Sequence, residues 1–347
     1  MKSFKILHIA NRGERYAGNR YYSYPYKMNN GFVRNGHCVY WFSDRDIARS
    51  LSFIPSRKLG SSKCNKKILE VCENFCPEIL IFGHSDVLKN ETIAEIKKRH
   101  KSIIVQYNFD LLHDKNMRKL KERNGFVDIN FITTGGKILG ELQGKGSRYA
   151  YMPNPVDMSI DCHKNFKEKN LDIDVFFAGQ TSDIVGANDL RTQIASLPAD
   201  LPDVFFGMYN GVWGHQYMDL LRRAKMGLSI SVGLNNPGVD GCRQYLYSSD
   251  RIAQYLGNGL LTFVEKRFQL GDVYGSDCLV EVENYTDLKE KIRFFLKNDN
   301  LRTEKAETSY RLAHEQFNEK LVAQYLIETT IGAAYTHSYR WPIQVWG

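Results

Sequence analysis

Several features that would assign the 347-residue chain to a particular class are missing from it. No stretch approaches the roughly 20 apolar residues that a bilayer-spanning helix needs. The opening MKSFKILHIANRGERY has too short an apolar run for a secretory signal and leads directly into charge. The phosphate-binding patterns G-x-G-x-x-G and the P-loop are also absent. We therefore expect a cytoplasmic protein that holds neither a dinucleotide nor ATP in a standard phosphate loop.

The cysteines and the basic residues lack the spacing of metal or nucleic-acid modules. The seven cysteines are odd in number and irregularly spaced, and only Cys72 and Cys76 form a helical i,i+4 pair. No second pair or histidine cluster completes a metal site. The lysines and arginines are scattered, without a zinc-finger or RNA-recognition signature. We expect reduced thiols, no cofactor, no essential metal and no nucleic-acid partner.

What the chain does contain is a globular composition with an excess of positive charge. Hydrophobic residues make up 43% and charged residues 25%, and the formal net charge is +8. Aromatic residues reach 12%, mostly tyrosine, which suits clefts and interfaces. The charge favours anionic partners such as phosphates, acidic glycans or an anionic membrane surface.

Short apolar runs alternate with helical patterns along the whole chain. In the first half KILHIA, EILIFG and SIIVQYN read as buried strands, and DVFFAG at 174–179 starts a second series after the proline-containing linker YMPNPVDMSID. Such alternation predicts an α/β fold of two Rossmann-like, doubly wound domains facing across a cleft. We place them at 1–153 and 154–330, with a tail of about 331–347 that packs back on the first domain.

Ligands of doubly wound sheets bind beyond the carboxyl ends of the strands, which directs attention to YLYSSDRIAQYLGNGLLTFVE at 245–265. A helix over 248–257 would begin with Ser248 or Ser249 as its cap and Arg251 in its first turn. Free backbone N–H groups, hydroxyls and a guanidinium suit a diphosphate. An ordinary capped helix with a surface arginine is the alternative interpretation.

Two other loops of the second half follow predicted strands. The first, after DVFFAG, combines Gly179 with the hydroxyls of Thr181 and Ser182, and Arg191 lies on the helix that follows. The second, SVGLNNPGVDGCRQY, offers Asn235, Asn236 and Arg243 as sugar or phosphate contacts. Both stretches are equally typical of polar surface loops.

From about Asp174 to Glu328 the layout resembles the carboxyl-terminal half of GT-B glycosyltransferases, of the glycosyl transferases group 1 type with a CgeB-like region. The resemblance rests on Arg251 and Gly259 around the helix, on the segment DLKEKIRFFL, and on the closing YRLAHEQFNEKLVAQYLIE. The first half matches more loosely, through VDINFITTGGKILGELQGKG.

The resemblance implies a nucleotide-sugar donor in the second domain, with its diphosphate near Ser248, Ser249 and Arg251. In similar enzymes the loop that contains Gly179 approaches the donor phosphates. The chain departs from the pattern at Gln254, where the family has a carboxylate able to hold the ribose. An amide also hydrogen-bonds hydroxyls, and Asp250 is the alternative source of a carboxylate.

The first domain would then bind the acceptor. Carboxylate or imidazole groups on loops after strands can remove the proton of an acceptor hydroxyl, and Asp110 is our first candidate, followed by His84 and Asp86. Loop hydrogen bonding or helix capping is the alternative role for each. Acceptor contacts are predicted in NRGERYAGNRYYSYPY, where arginines and an acid alternate with tyrosines: Arg12, Glu14, Arg15 and Arg20.

The resemblance therefore predicts a glycosyltransferase that moves a sugar to a glycan or glycolipid hydroxyl in bacterial surface polysaccharide or lipopolysaccharide assembly. Contact with an anionic membrane from its cytoplasmic surface is compatible with the charge. A nucleotide-sugar epimerase or hydrolase on the same scaffold, and a non-catalytic glycan-binding protein, are the alternatives.

Overall fold

The computed structural model describes residues 2–83, 85–180, 189–231 and 244–347. The chain divides into two compact units. The first consists of Met1–Pro153 together with Glu319–Gly347, and the second is Asn154–Asn318. Each is an α/β unit built on one sheet.

The first unit is built on a seven-stranded sheet in the order β12-β6-β5-β4-β3-β1-β2. Its strands are β1 Lys5–Ile9, β2 Cys38–Phe42, β3 Ile79–Phe82, β4 Ile103–Asn108, β5 Ile129–Ile132, β6 Arg148–Tyr151 and β12 Val345–Trp346. All neighbours are parallel except β12, which pairs antiparallel with β6. The apolar runs of β3 and β5 are buried along their whole length, as expected for parallel strands covered on both faces.

Helices connect these strands, and their bounds are α1 Tyr24–Arg34, α2 Asp44–Ser50, α3 Arg57–Phe75, α4 Asn90–His100, α5 Asp114–Glu122, α6 Ile138–Leu142 and α14 Glu319–Ile331. Local sequence explains several of the ends. Ser56 caps α3 by accepting from the backbone N–H of Leu59, and Pro25 occupies the first turn of α1. Gly36, with φ of 83°, allows the turn that leads from α1 into β2.

Helix α14 belongs to the first unit, so the predicted end of the second domain at residue 330 is corrected to residue 318. The helix packs against α1 so closely that a Cβ on Gly31 would lie 2.2 Å from the Glu319 carbonyl oxygen. Arg34 of α1 also forms an ion pair with Glu319 at 2.5 Å. These contacts join positions almost 300 residues apart, which local sequence patterns do not reveal. The tail beyond α14 packs on the same unit, because β12 completes its sheet.

The second unit has a five-stranded parallel sheet in the order β11-β10-β9-β7-β8. Its strands are β7 Ile173–Ala178, β8 Phe206–Tyr209, β9 Ala224–Ser229, β10 Leu261–Glu265 and β11 Leu279–Val282. Its helices are α7 Leu190–Gln193, α8 Leu197–Asp200, α9 Gly214–Arg222, α10 Asp250–Gly257, α11 Gly271–Tyr274, α12 Tyr285–Lys297 and α13 Asp299–Gln316. The strand order confirms a doubly wound sheet, as in the first unit.

Within the described part of the chain, no helix is long and apolar enough to cross a membrane.

Candidate functional site

The strand order of the second unit reverses between β7 and β9, and a ligand site is expected beyond the carboxyl ends of these two strands. Ala178 ends β7, and Ile230 directly follows β9. Both carbonyl oxygens accept hydrogen bonds from arginine side chains that arrive from two different helices. Arginine guanidinium groups therefore occupy the switch point.

Arg191 of α7 and Arg251 of α10 share this position. Arg191 donates from Nη1 to the Ile230 carbonyl at 2.9 Å and from Nε to the Gln180 carbonyl at 2.8 Å. Arg251 donates from Nη2 to the same Ile230 carbonyl at 2.7 Å and from Nε to Ser249 Oγ at 3.2 Å. One backbone oxygen thus fixes both guanidinium groups side by side.

Phe177 and Gly179 adjoin the side chains of both arginines. The ring of Phe177 lies under both cations, with its centroid 4.9 Å from Arg191 Cζ and 5.0 Å from Arg251 Cζ. At Gly179 a Cβ would lie 2.7 Å from Arg191 Nη2 and 3.2 Å from Arg251 Nη1. The absence of a side chain at Gly179 therefore leaves the room that the guanidinium groups occupy.

The pair is electrostatically unbalanced. Burial, and then the neighbouring charge of Arg251, lower the pKa of Arg191 to about 10, so Arg191 remains cationic at neutral pH. Among the described residues, no carboxylate lies within ion-pair distance of either guanidinium. The nearby Glu265 is engaged elsewhere, since it accepts from the Ser231 N–H at 3.0 Å and pairs with Arg267 at 2.5 Å. A bound anion would balance the two cations and use their remaining N–H groups.

The amino end of α10 adds backbone donors to this site. Ser249 is its N-cap residue, but its side chain makes no cap hydrogen bond and holds Arg251 instead. The first-turn N–H groups of α10 therefore have no side-chain cap at Ser249, and the positive end of the helix dipole lies beside the arginine pair. Asp250 occupies the first turn and is half-buried.

Ser248 and Gln254, two residues predicted to contact the donor, are buried within the second unit. Ser248 is 3% exposed, and its Oγ and carbonyl both accept from Asn154 Nδ2 at 2.8 and 2.9 Å. Gln254 is 4% exposed, and its Oε1 accepts from the Tyr217 hydroxyl at 2.5 Å. Both side chains tie parts of the second unit together, so their placement does not suit the predicted diphosphate and ribose contacts.

Sequence reasoning missed the residues that hold the arginines in place. Asp189 is buried and accepts from the Arg191 backbone N–H at 2.8 Å, which fixes the start of α7. Phe177 read only as a core residue of β7. Its position one residue before the strand end was the available signal, because such residues adjoin the ligand edge of a parallel sheet.

Four of the predicted site residues lie outside the described residues, namely His84, Thr181, Asn235 and Arg243, as do Ser182 and Asn236.

In the first unit, the two described candidates for a base differ in their surroundings. Asp110 is exposed two residues after the end of β4, and its backbone N–H donates to Asn108 Oδ1 at 2.9 Å. Asp86 forms ion pairs with both Arg45 and Arg57. Because these cations hold its carboxylate, Asp86 is the weaker candidate for accepting a proton.

The predicted acceptor residues cluster around aromatic rings. Arg12 lies over Trp41 at 5.4 Å and pairs with Glu14 at 3.3 Å. Arg15 and Arg20 lie over the ring of Tyr16 at 4.4 and 4.7 Å. A hydrogen bond from Arg15 holds the pKa of Tyr16 below its ordinary value. The segment therefore presents cations and aromatic faces together, a combination that suits an anionic sugar.

A buried polar cluster near the end of β3 was not predicted. The Asp44 carboxylate is fully buried and accepts from the Ser85 hydroxyl at 2.7 Å, while Arg123 Nη2 donates to the Ser85 carbonyl at 2.8 Å. Burial raises the pKa of Asp44 to about 6. These contacts fix the loop that carries Asp86.

Among the described residues, no group of three or more His, Cys, Asp or Glu side chains has the geometry to hold a metal ion.

Comparison with known families and structures agrees with this geometry. Residues 190–328, which include both arginines of the site, match the family model described as glycosyl transferase-like. The match does not single out the CgeB-like type. No curated protein matches the chain.

Solved structures share the fold at low identity. HepE from Anabaena, solved with UDP and with UDP-glucose, superposes with a TM-score of 0.53 at 11% identity in the UDP complex, over 94% of this chain and 100% of its own. AviGT4, a glycosyltransferase involved in avilamycin A biosynthesis, gives 0.58 at 12% identity over 99% and 100%. A glycosyltransferase from Rickettsia africae gives 0.58 at 9% identity over 96% and 99%. Taken together, the two doubly wound units and these superpositions show the GT-B fold, and the part of the second unit that holds the arginine pair is similar to glycosyl transferase-like proteins.

Proposed function

We propose that the protein transfers a sugar from a nucleotide-activated donor to a hydroxyl of a glycan or glycolipid, in the assembly of a bacterial surface polysaccharide or lipopolysaccharide. The observation that carries the proposal is the pair of guanidinium groups, Arg191 and Arg251, held on one carbonyl without a described carboxylate partner. We place the reaction in the cytoplasm, where nucleotide sugars are made.

The donor diphosphate would bind between the arginine pair and the amino end of α10. Two fixed cations beside the positive end of a helix dipole suit a diphosphate better than a single phosphate, because its charge is spread over two groups. We propose UDP as the nucleotide, since the structural neighbour HepE binds UDP and UDP-glucose.

This arrangement supplies the chemistry that the transfer needs. As the bond between the anomeric carbon and the diphosphate oxygen breaks, negative charge grows on the leaving diphosphate. The guanidinium groups stabilise that charge where it develops. The acceptor oxygen forms the new bond to the anomeric carbon and loses its proton. If the configuration inverts, we propose Asp110 as the base that receives this proton.

A thermal-shift screen of UDP, GDP, dTDP and CMP tests the donor site. We expect UDP to raise the melting temperature, and Arg251→Ala to weaken UDP binding by about tenfold to a hundredfold, because a charge-assisted contact is lost. Arg293→Ala is the matched control, since Arg293 is exposed on α12 of the same unit. An undiminished UDP shift in Arg251→Ala would refute this placement of the diphosphate.

A turnover assay separates transfer from the alternatives. UDP release from a panel of UDP-sugars is measured with and without a lipid-linked oligosaccharide. Release that depends on the acceptor supports transfer, whereas epimerised or hydrolysed donor without acceptor supports the epimerase or hydrolase.

We also propose that the reaction needs no resident metal, because the two guanidinium groups supply the positive charge at the diphosphate. After dialysis against EDTA, UDP-sugar turnover should equal that of the untreated enzyme. Restoration of a lost activity by Mg²⁺ or Mn²⁺ would contradict this expectation.

The acceptor is proposed to be anionic and to bind the first unit through Arg12, Glu14, Arg15 and Arg20. The cations over Trp41 and Tyr16 support this choice. Substitution of Arg15 and Arg20 together by glutamine should raise KM for an acidic acceptor and leave the UDP thermal shift unchanged.

A further inference from the structure

The loop between α2 and α3 in the first unit exposes large apolar side chains. Phe53 is fully exposed, and the adjoining Ile54 is 65% exposed. Leu59, in the first turn of α3, is also 65% exposed. Three neighbouring apolar side chains directed into solvent are unusual on a protein surface that has no partner.

Lysines surround these apolar side chains on α3. Lys63 and Lys66 follow Leu59 at i+4 and i+7, so the three share one face of the helix, and Lys58 lies in the same turn as Leu59. All three lysines are exposed and form no ion pair within the described part of the chain. The surface formed by Phe53, Ile54, Lys58, Leu59, Lys63 and Lys66 is named the α3 surface below.

Other basic residues near the α3 surface are already neutralised. Arg57 pairs with Asp86, and Lys67 pairs with Glu70 at 2.7 Å. The exposed face of the amino-terminal half of α3 therefore carries a net positive charge. This charge lies beside the apolar side chains of Phe53, Ile54 and Leu59. This combination matches the interface of a bilayer with anionic headgroups, which takes apolar side chains below the headgroups and cations beside them. A soluble protein partner would not require these apolar side chains and the lysines to occur together.

Helix α3, which carries Lys58, Leu59, Lys63 and Lys66, also contacts the loop that carries a candidate catalytic residue. Ser61 Oγ donates to the Val87 carbonyl at 3.3 Å, and Asn65 Nδ2 donates to the same carbonyl at 2.8 Å. Asp86 lies one residue earlier in that loop and is held by Arg57. One face of α3 therefore holds the loop of Asp86, and the opposite face carries Lys63 and Lys66 of the α3 surface.

We propose that the α3 surface docks the protein on a membrane that contains anionic lipids, with Phe53 and Ile54 inserted among the headgroups and Lys58, Lys63 and Lys66 paired with lipid phosphates. The proposal extends the proposed function, since it implies that the acceptor is lipid-linked. The docking itself requires no nucleotide and no turnover.

Sedimentation with vesicles tests the proposal on the full chain. Vesicles of phosphatidylcholine with phosphatidylglycerol should bind the protein, and vesicles of phosphatidylcholine alone should bind it at least about tenfold more weakly. Binding to the anionic vesicles should fall as salt is raised, because exposed charges are screened.

Two variants with matched controls locate the docking site. Phe53→Ser with Ile54→Ser, and Lys58→Gln with Lys63→Gln and Lys66→Gln, should each weaken binding to anionic vesicles by about tenfold or more. The controls are Phe205→Ser, at an aromatic residue exposed on the second unit, and glutamine at three exposed lysines elsewhere: Lys119, Lys169 and Lys297. Both controls should bind vesicles like the parent protein.

The outcomes separate docking from the donor site. All four proteins should keep the parent melting temperature and UDP shift, which shows that they are folded and that donor binding is intact. Vesicle binding that is absent in the parent, or equal in the α3 variants and their controls, would overturn the proposal even if UDP binds as expected. A missing UDP shift with intact vesicle binding would instead count against the proposed donor site alone.

Discussion

At the scale of single residues, Gly179 leaves the space in which the ends of Arg191 and Arg251 lie. Its φ is +154°, and a Cβ there would meet the ends of the Arg191 and Arg251 side chains. Because these ends are flexible, Gly179→Ala should displace the guanidinium groups rather than unfold the protein. We expect UDP to bind about tenfold more weakly, as measured by titration calorimetry.

Gly211→Ala is the control for this substitution. Gly211 also has a positive φ, +76°, but a Cβ there meets no atom within 4 Å. The control should lose about 1 kcal/mol of stability from backbone strain and keep its UDP affinity. Equal UDP affinities for the two variants would show that the space at Gly179 does not matter for the donor.

The buried carboxylate of Asp44 gives a prediction about pH. Burial raises its pKa from 3.8 to about 6, so folding takes up a proton in this range and the carboxylate destabilises the folded state increasingly as the pH rises from 4 to 6. The shift corresponds to about 3 kcal/mol once the pH exceeds 6. Asp44→Asn removes this cost and keeps an oxygen that can accept from Ser85. Its gain in free energy of unfolding over the parent should therefore grow between pH 4 and pH 6.

Urea unfolding across this pH range measures the difference. Asp203→Asn, which removes an exposed carboxylate, should give the same pH profile as the parent. A difference in free energy of unfolding between Asp44→Asn and the parent that stays constant from pH 4 to pH 6 would contradict the raised pKa of Asp44.

At this scale the sequence singled out Arg191, Arg251 and Gly179, which the structure brings together, but it did not reveal the internal partners of Ser248 and Gln254. Arg191, Arg251 and Gly179 were predicted because they follow strands that end at the ligand edge. Ser248 and Gln254 were predicted to contact the donor, but both are buried and internally hydrogen-bonded, and helix phase alone does not show which polar side chains have such partners. Asn154 and Tyr217, which hold them, are distant in sequence.

At the scale of elements, the packing of α1 against α14 depends on Gly31. A Cβ at this position would lie 2.2 Å from a backbone oxygen and 2.8 Å from Ala323 Cβ. Backbone cannot move aside as a flexible side chain does, so Gly31→Ala must separate the two helices. Overpacking of this kind costs about 1–3 kcal/mol, and we expect a loss of that size in urea unfolding.

Val33→Ala is the control on the same helix, because Val33 is exposed. It should change the stability by no more than about 0.5 kcal/mol. Equal effects of the two substitutions would show that α1 and α14 are not in close contact.

Elements with a clear local pattern were predictable, and those defined by distant contacts were not. The predicted helix 248–257 is observed as α10, Asp250–Gly257, which begins after Ser249, one of the two predicted caps. The helix that was expected to carry Arg191 is observed as the short α7, Leu190–Gln193, followed by a 3-10 turn at Ile194–Ser196. The second domain was predicted to extend to residue 330, and the unit of α14 was missed because its partner α1 lies near the other end of the chain.

At the scale of the whole molecule, the chain leaves the first unit at Pro153 and returns to it at Glu319. The first unit therefore depends on residues that follow the second unit in the sequence. A chain that ends at Asn318 lacks α14 and β12, so the buried face of α1 and the edge of β6 lose their cover. We expect the calorimetric transition of the first unit to disappear or to fall by more than about 10 °C, while the second unit keeps its transition.

A chain that ends at Ile331 is the matched control, because it keeps α14 and loses only the tail. It should retain both transitions, with a smaller loss in the first unit from the missing β12. UDP should raise the transition of the second unit in both truncated chains, since the arginine pair and α10 lie wholly within residues 154–318. If the chain that ends at Asn318 melts like the parent chain, α14 does not stabilise the first unit. That result would contradict the assignment of residues 319–347 to the first unit.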